Sequence, residues 1–175
     1  MISPFTLLYH KKPKKPIYKI EKVDKKYRLY AACRYFSAYG TVKDPTLCGF
    51  VYERGLVPRE FLDSVRAREV LAKTAFGNMV AMPHPIEVMG KTPFVCVCVL
   101  DEPILWTPGA PDSLIQVIFL VSVANYEHFD VQKFYQVTAK LLLDGPSMKE
   151  LIRTPSYETL KHLLLKMEEQ VEDEG

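Results

Sequence analysis

The sequence predicts an α/β fold: a mixed β-sheet flanked by helices on both faces, giving a three-layer α/β/α sandwich. Three observations carry that reading. Residues 94–100 (FVCVCVL) and 114–123 (LIQVIFLVSV) are apolar at successive positions, the pattern of strands covered on both faces. Segments with apolar residues at helical spacing alternate with them. Hydrophobic residues make up 48% of the 175, enough to build one core.

Taken in order, the elements are these. Residues 1 to about 27 read as a linker or the remnant of something upstream, because Pro4, Pro13 and Pro16 interrupt a lysine-rich run. Residues 28–39 (RLYAACRYFSAY) read as a short helix ending near Gly40, and 46–54 as another stopped by Gly55. Residues 59–72 form a helix after Pro58, with Leu62, Val65 and either Val70 or Leu71 near its apolar face. Val80, Ala81 and Met82 read as a buried strand that opens after Gly77 and Asn78. Pro83 has no backbone N–H, so the chain leaves the sheet there. After strand 94–100, Asp101, Glu102 and Pro103 read as a turn, followed by a short strand at 104–106 and a T-P-G-A-P-D loop. Strand 114–123 leads to a helix over 126–143, with Asn125 as N-cap and Asp144-Gly145-Pro146 as its stop. Thr154 and Pro155 read as N-cap and first residue of a last helix through about Glu169. The expected division is 1–45 linker or remnant, 46–170 a single domain, and 171–175 an acidic tail.

Composition excludes several classes of function. A net charge of +2 implies no global acidic or basic partner. The basic run over residues 11–28 reads as a solvated linker in preference to a nucleic-acid contact. No run of about 18 apolar residues occurs, so no membrane span is expected, and the start lacks the regions of a signal peptide. Cys33, Cys48, Cys96 and Cys98 read as free buried thiols of a cytoplasmic protein. Cys96 and Cys98 share one face of a strand and are poorly placed to bridge each other.

The chemistry-bearing candidates are few. His84 stands at a strand end between Pro83 and Pro85, held so that one ring nitrogen can be reached from outside. An imidazole there can serve as base, metal ligand or nucleophile toward phosphorus. His128 falls in the first turn of the helix after Asn125, where the helix dipole favours a nearby anion. If the strands before these two histidines run parallel in one sheet, both rings emerge at the same edge. Arg68 can bind phosphoryl oxygens, and Gly77 and Asn78 can turn backbone amides toward an anion. No metal is expected, since the paired Cys/His spacings are missing. There is no G-x-S-x-G and no phosphate-binding G-x-x-x-x-G-K-[ST] loop.

Glu69, Phe76, Gly77, Val80, Ala81, Met82, Pro83 and His84 together resemble the signature of the EIIA type-2 domain (mannitol/fructose family) of the bacterial sugar phosphotransferase system. The likeness runs from about Gly55 to Leu165 and takes in Arg68, Thr74, both apolar strands and the helix opening with a histidine. It implies that His84 accepts a phosphoryl group on a ring nitrogen, from the phosphocarrier protein HPr or an EIIB domain. It implies that His128 is the second active-site histidine, that Arg68 lies near the phosphoryl site, and that Thr74, Gly77 and Asn78 form the phosphate's surroundings. No cofactor is implied. The family usually has Gly, Ala or Cys after the histidine, whereas this chain has Pro85. The T-A-F-G-N-x-V-A-x-P-H-P form resembles EIIA-like domains of sugar-operon antiterminators and activators. It implies a regulatory module whose contact with nucleic acid is made by other, upstream domains. The alternatives are a transport EIIA passing phosphate to EIIB, and an interaction module of the same fold that carries no phosphate.

Overall fold

The computed structural model describes residues 19–24, 29–33, 45–77, 79–90, 93–107, 110, 112–122 and 131–173. His128, Asn78 and the expected N-cap Asn125 lie outside the described residues. The strands are β1 (Lys19–Asp24), β2 (Leu29–Cys33), β3 (Ala75–Phe76), β4 (Val80–Ala81), β5 (Phe94–Leu105) and β6 (Leu114–Ser122). The helices are α1 (Pro45–Glu53), α2 (Phe61–Leu71), α3 (Val131–Leu143), α4 (Gly145–Arg153) and α5 (Tyr157–Asp173).

The strands form one mixed sheet in the order β1-β2-β5-β6-β4-β3. β5 and β6 pair antiparallel at its centre, β2 runs parallel to β5, and β4 runs parallel to β6. Alternation along the central strands sorts the core into two layers. Val95, Val97, Val99, Val117, Phe119 and Val121 face α3, α4 and α5. On the opposite face Phe94, Cys96 and Leu120 pack against Val51 of α1 and Phe61 and Val65 of α2. The Phe61 and Phe94 rings meet at 6.2 Å between centroids, tilted by 46°. Helices therefore cover both faces of a mixed sheet, as the sequence predicts.

Several elements differ from expectation, each for a physical reason. Leu29–Cys33 is a strand, not part of a helix over 28–39, because its backbone pairs in register with Val95 through Val99 of the apolar β5. Strand β1 pairs with it where composition reads as a linker. The expected turn at Asp101 to Pro103 lies inside β5, where a register shift between Val99 and Ile104 absorbs it. A bulge tolerates proline because no donor is required there. On α2 the buried residues are Phe61 and Val65, while Val70 and Leu71 are exposed. Gly55, at φ +66°, ends α1 as expected: its N–H donates to the Tyr52 carbonyl and that of Leu56 to Val51, a left-handed C-terminal cap. Cys48, Cys96 and Cys98 are buried free thiols, and burial pushes Cys48 and Cys96 up to about 12, so both stay protonated.

A further helix, α4, begins where Asp144-Gly145-Pro146 reads only as a stop. Asp144 is its N-cap, accepting the Ser147 N–H at 3.1 Å, and Pro146 occupies the first turn, where no N–H is needed. Ser156, not Thr154, caps α5, its hydroxyl accepting the Thr159 N–H at 3.0 Å. Thr154 instead closes α4 by donating to the Glu150 carbonyl. The bond from the Ser147 N–H helps hold the Asp144 carboxyl below its usual range. A depressed carboxyl contributes stability above its unfolded value and loses it as pH falls through the folded one. Asp144→Ala is accordingly expected to lower stability by about 1 kcal/mol at neutral pH. The gap to wild type should narrow below about pH 4, read by urea titration at several pH values.

Candidate functional site

The site forms where the end of β4 passes the last turn of α2. Met79 opens β4 in the left-handed region (φ 63°), and its carbonyl accepts both the Gln116 and Val117 N–H groups at 2.8 and 3.0 Å. Two residues of β6 thus face the one residue that precedes β4. This bulge puts Ile115 and Val117 on opposite layers of the core. The following chain remains tied to its neighbours. Met82 donates to the Thr74 carbonyl at 2.9 Å, and the Pro83 carbonyl accepts the Val121 N–H at 3.1 Å. Pro83 leaves the ladder only as a donor. The Ile86 N–H donates to the Ser64 hydroxyl of α2 at 3.0 Å. His84 is half-buried between the buried Pro83 and Pro85.

The imidazole is oriented through both nitrogens. Nδ1 lies 2.9 Å from the Met82 carbonyl, which can only accept, so Nδ1 carries the hydrogen. Nε2 then offers its lone pair, and the Arg68 Nε–H donates to it at 3.0 Å. The same guanidinium donates through Nη1 to the Ala72 carbonyl at 2.8 Å. The arrangement presents one defined nucleophilic nitrogen with a fixed cation beside it.

Of the residues read from sequence, the structure brings Arg68 and His84 together. Thr74 is buried, and its hydroxyl is committed to Glu69 Oε2 at 2.5 Å. Gly77 is exposed, in the turn after β3. β4 and β6 do run parallel, so the ends of both strands reach the same edge of the sheet. Sequence reasoning missed Ser64 and Trp106. Ser64 gives no signal, being 22 positions from its partner. Trp106 gives one: the chain's single tryptophan in an apolar setting needs a partner for its indole N–H. That partner is Glu69, the first residue of the His84 motif.

A profile of the family described as "Phosphoenolpyruvate-dependent sugar phosphotransferase system, EIIA 2" matches residues 46–167. The chain belongs to that family. Arg68 and His84 both lie in the matched part of this EIIA type-2 domain. The domain is 36% identical over 110 residues to the "Probable licABCH operon regulator" of Bacillus subtilis, covering 63% of this chain and 16% of that protein. It is 30% identical over 106 residues to the "Nitrogen regulatory protein" of Pseudomonas aeruginosa, covering 59% of this chain and 66% of the relative. The chain therefore spans a minor part of the first regulator and just under two thirds of the second. In solved structures, the same fold occurs in enzyme IIAMTL of Escherichia coli, determined in complex with phosphorylated enzyme IIBMTL. There the TM-score is 0.58 at 19% identity, over 77% of this chain and 99% of that one. The crystal structure of IIA mannitol from the same organism gives 0.53 at 24% identity, over 65% and 80%. Among the described residues no helix is long and apolar enough to cross a membrane.

Proposed function

We propose that His84 of this EIIA-type domain accepts a phosphoryl group on Nε2, from HPr or an EIIB domain. In this reading it acts as the cytoplasmic regulatory module of a sugar-operon transcription regulator. The observation that carries the reading is the double hold on the ring: Met82 fixes the hydrogen on Nδ1, and Arg68 stands 3.0 Å from the lone pair of Nε2. In the transfer that lone pair forms the N–P bond, while the donor's bond to phosphorus breaks and its leaving atom takes the electron pair. Such a transfer needs a positioned nucleophile and charge stabilisation, with little other chemistry from the protein. His128 is proposed as the second histidine at this sheet edge. Gly77 and Asn78 are proposed as backbone donors to the phosphate, and Thr74 as their support.

A protein donor needs a surface to dock on. Val70 and Leu71 follow Arg68 in sequence, Ile86 and Val88 follow His84, and all four are half-exposed or more. A contiguous exposed apolar patch marks a protein contact, and these four are proposed to form one. The regulatory role is supported by the likeness to an operon regulator and by Pro85.

Incubation with phosphoenolpyruvate, Enzyme I and HPr is expected to add one acid-labile, base-stable phosphate to the chain and none to His84→Ala. Labelling that persists in the variant would move the acceptor elsewhere. A wild type that no donor labels, EIIB included, would leave an interaction module that carries no phosphate. Acceptance followed by delivery to an EIIB would make the domain a transport component.

A further inference from the structure

The geometry points to Trp106 as a positioning residue that acts through Glu69 on the Arg68–His84 pair, an inference that rests on His84 as phosphoryl acceptor. It starts from what does not hold the end of α2. The buried residues of that helix, Phe61 and Val65, lie in its first half. In its last turn Val70 and Leu71 are 81% and 72% exposed. Apolar packing therefore does not anchor the turn that carries Arg68. Glu69 does. Its Oε1 accepts the Trp106 indole N–H at 2.7 Å, and its Oε2 accepts the Thr74 hydroxyl at 2.5 Å and the Thr74 N–H at 3.2 Å.

Of these partners, Trp106 is the one fixed independently of the α2–β3 connection. It is 7% exposed and belongs to the buried cluster containing Ala81, Cys98, Ile115 and Ile118. Its backbone N–H donates to the Ser113 carbonyl at 2.8 Å, closing the β5–β6 hairpin. Ala81 belongs to β4, the strand that leads to His84. One side chain thus supports the strand behind His84 and tethers the residue after Arg68. Without the indole N–H, Glu69 keeps, among the described residues, only its local bonds to Thr74, and Arg68 loses its register against Nε2.

The test uses the unphosphorylated full chain, so it does not depend on any phosphoryl donor. Hydrogen exchange of the Arg68 Nε–H, followed by NMR, reads the contact with His84 directly. Trp106→Phe keeps an apolar ring and removes the donor; Glu69→Ala removes the acceptor. Each is expected to speed that exchange roughly tenfold, the worth of about one hydrogen bond to a charged group. The double variant should be no faster than Glu69→Ala, because Trp106 acts only through that carboxylate. Exchange that stays at the wild-type rate in Trp106→Phe, with only the melting temperature lowered, would reduce Trp106 to core packing. Additive effects would separate it from Glu69 and overturn the proposal equally. Should Trp106→Phe not fold, Glu69→Ala carries the test, since unchanged Nε–H exchange there breaks the chain of contacts at its middle. In protein that accepts phosphate, the same variants should lower kcat and leave the donor's KM in place. If wild type takes no phosphate, the exchange result still stands and only the functional reading falls.

Discussion

Arg68→Ala is expected to slow phosphorylation of His84 by about a hundredfold, the usual effect of removing one preorganised charge-stabilising donor. The expectation follows from where the guanidinium sits. Its Nε is 3.0 Å from the atom proposed to bond phosphorus, and its Nη1 is held by the Ala72 carbonyl at 2.8 Å. A phosphoryl group arriving at Nε2 brings negatively charged oxygens to that point, and a planar fork of donors is already beside them. Lysine keeps the charge but not the fork, so Arg68→Lys should recover only part of the rate. Rapid-quench labelling with saturating donor separates the outcomes. A fall in kcat at constant donor KM places Arg68 in the transfer step, while a risen KM alone places it in docking. The opposite sign is informative too. In the free protein Arg68 also covers the lone pair, so a faster variant would make it chiefly a cap on an otherwise exposed nucleophile. Stability should hardly respond, because substitutions outside the core usually stay within about 0.5 kcal/mol.

How far this arrangement is legible in sequence depends on the range over which each residue acts. The two central strands, the Gly55 stop and the α2 and α5 helices rest on local pattern, and residues a few positions apart decide them. The segment at 29–33 does not: it becomes a strand because β5 offers it an edge more than 60 positions away. The β5 bulge at Asp101 to Pro103 has a similar cause, since turn chemistry reads the same whether the chain reverses or carries on against β6. At the site, His84 and Arg68 stand in a recognisable motif, and the structure joins them. The supports for that pair are another matter. Ser64 reaches Ile86, and Trp106 reaches Glu69 across 37 positions, contacts that no spacing rule announces. Thr74, read as part of the phosphate's surroundings, gives its hydroxyl to Glu69.

That dependence on distant support makes Phe119→Ala the most damaging core substitution to expect. Phe119 is 1% exposed, pairs with Val97 at the middle of the β5–β6 ladder, and faces the layer formed by α3, α4 and α5. Truncating a phenylalanine in such a position costs about 3–5 kcal/mol, because the transfer energy is lost and the cavity relaxes only in part. A domain of this size has only about 5–15 kcal/mol in total, so much of its margin goes. The effect should reach His84 through the backbone. β6 holds the approach to the site at both ends, with Gln116 and Val117 on the Met79 carbonyl and Val121 on that of Pro83. Urea titration should therefore show a lower midpoint with unchanged slope, and labelling of His84 should fade over the same urea range as the fold. Phe76→Ala gives the contrast: its ring is 42% exposed at the edge strand, and its loss should cost about 0.5 kcal/mol or less. If labelling in Phe119→Ala were lost well before global unfolding, the β4–β6 contact would be a separate, weaker unit than the core beneath it, and the site would open by local release of β4.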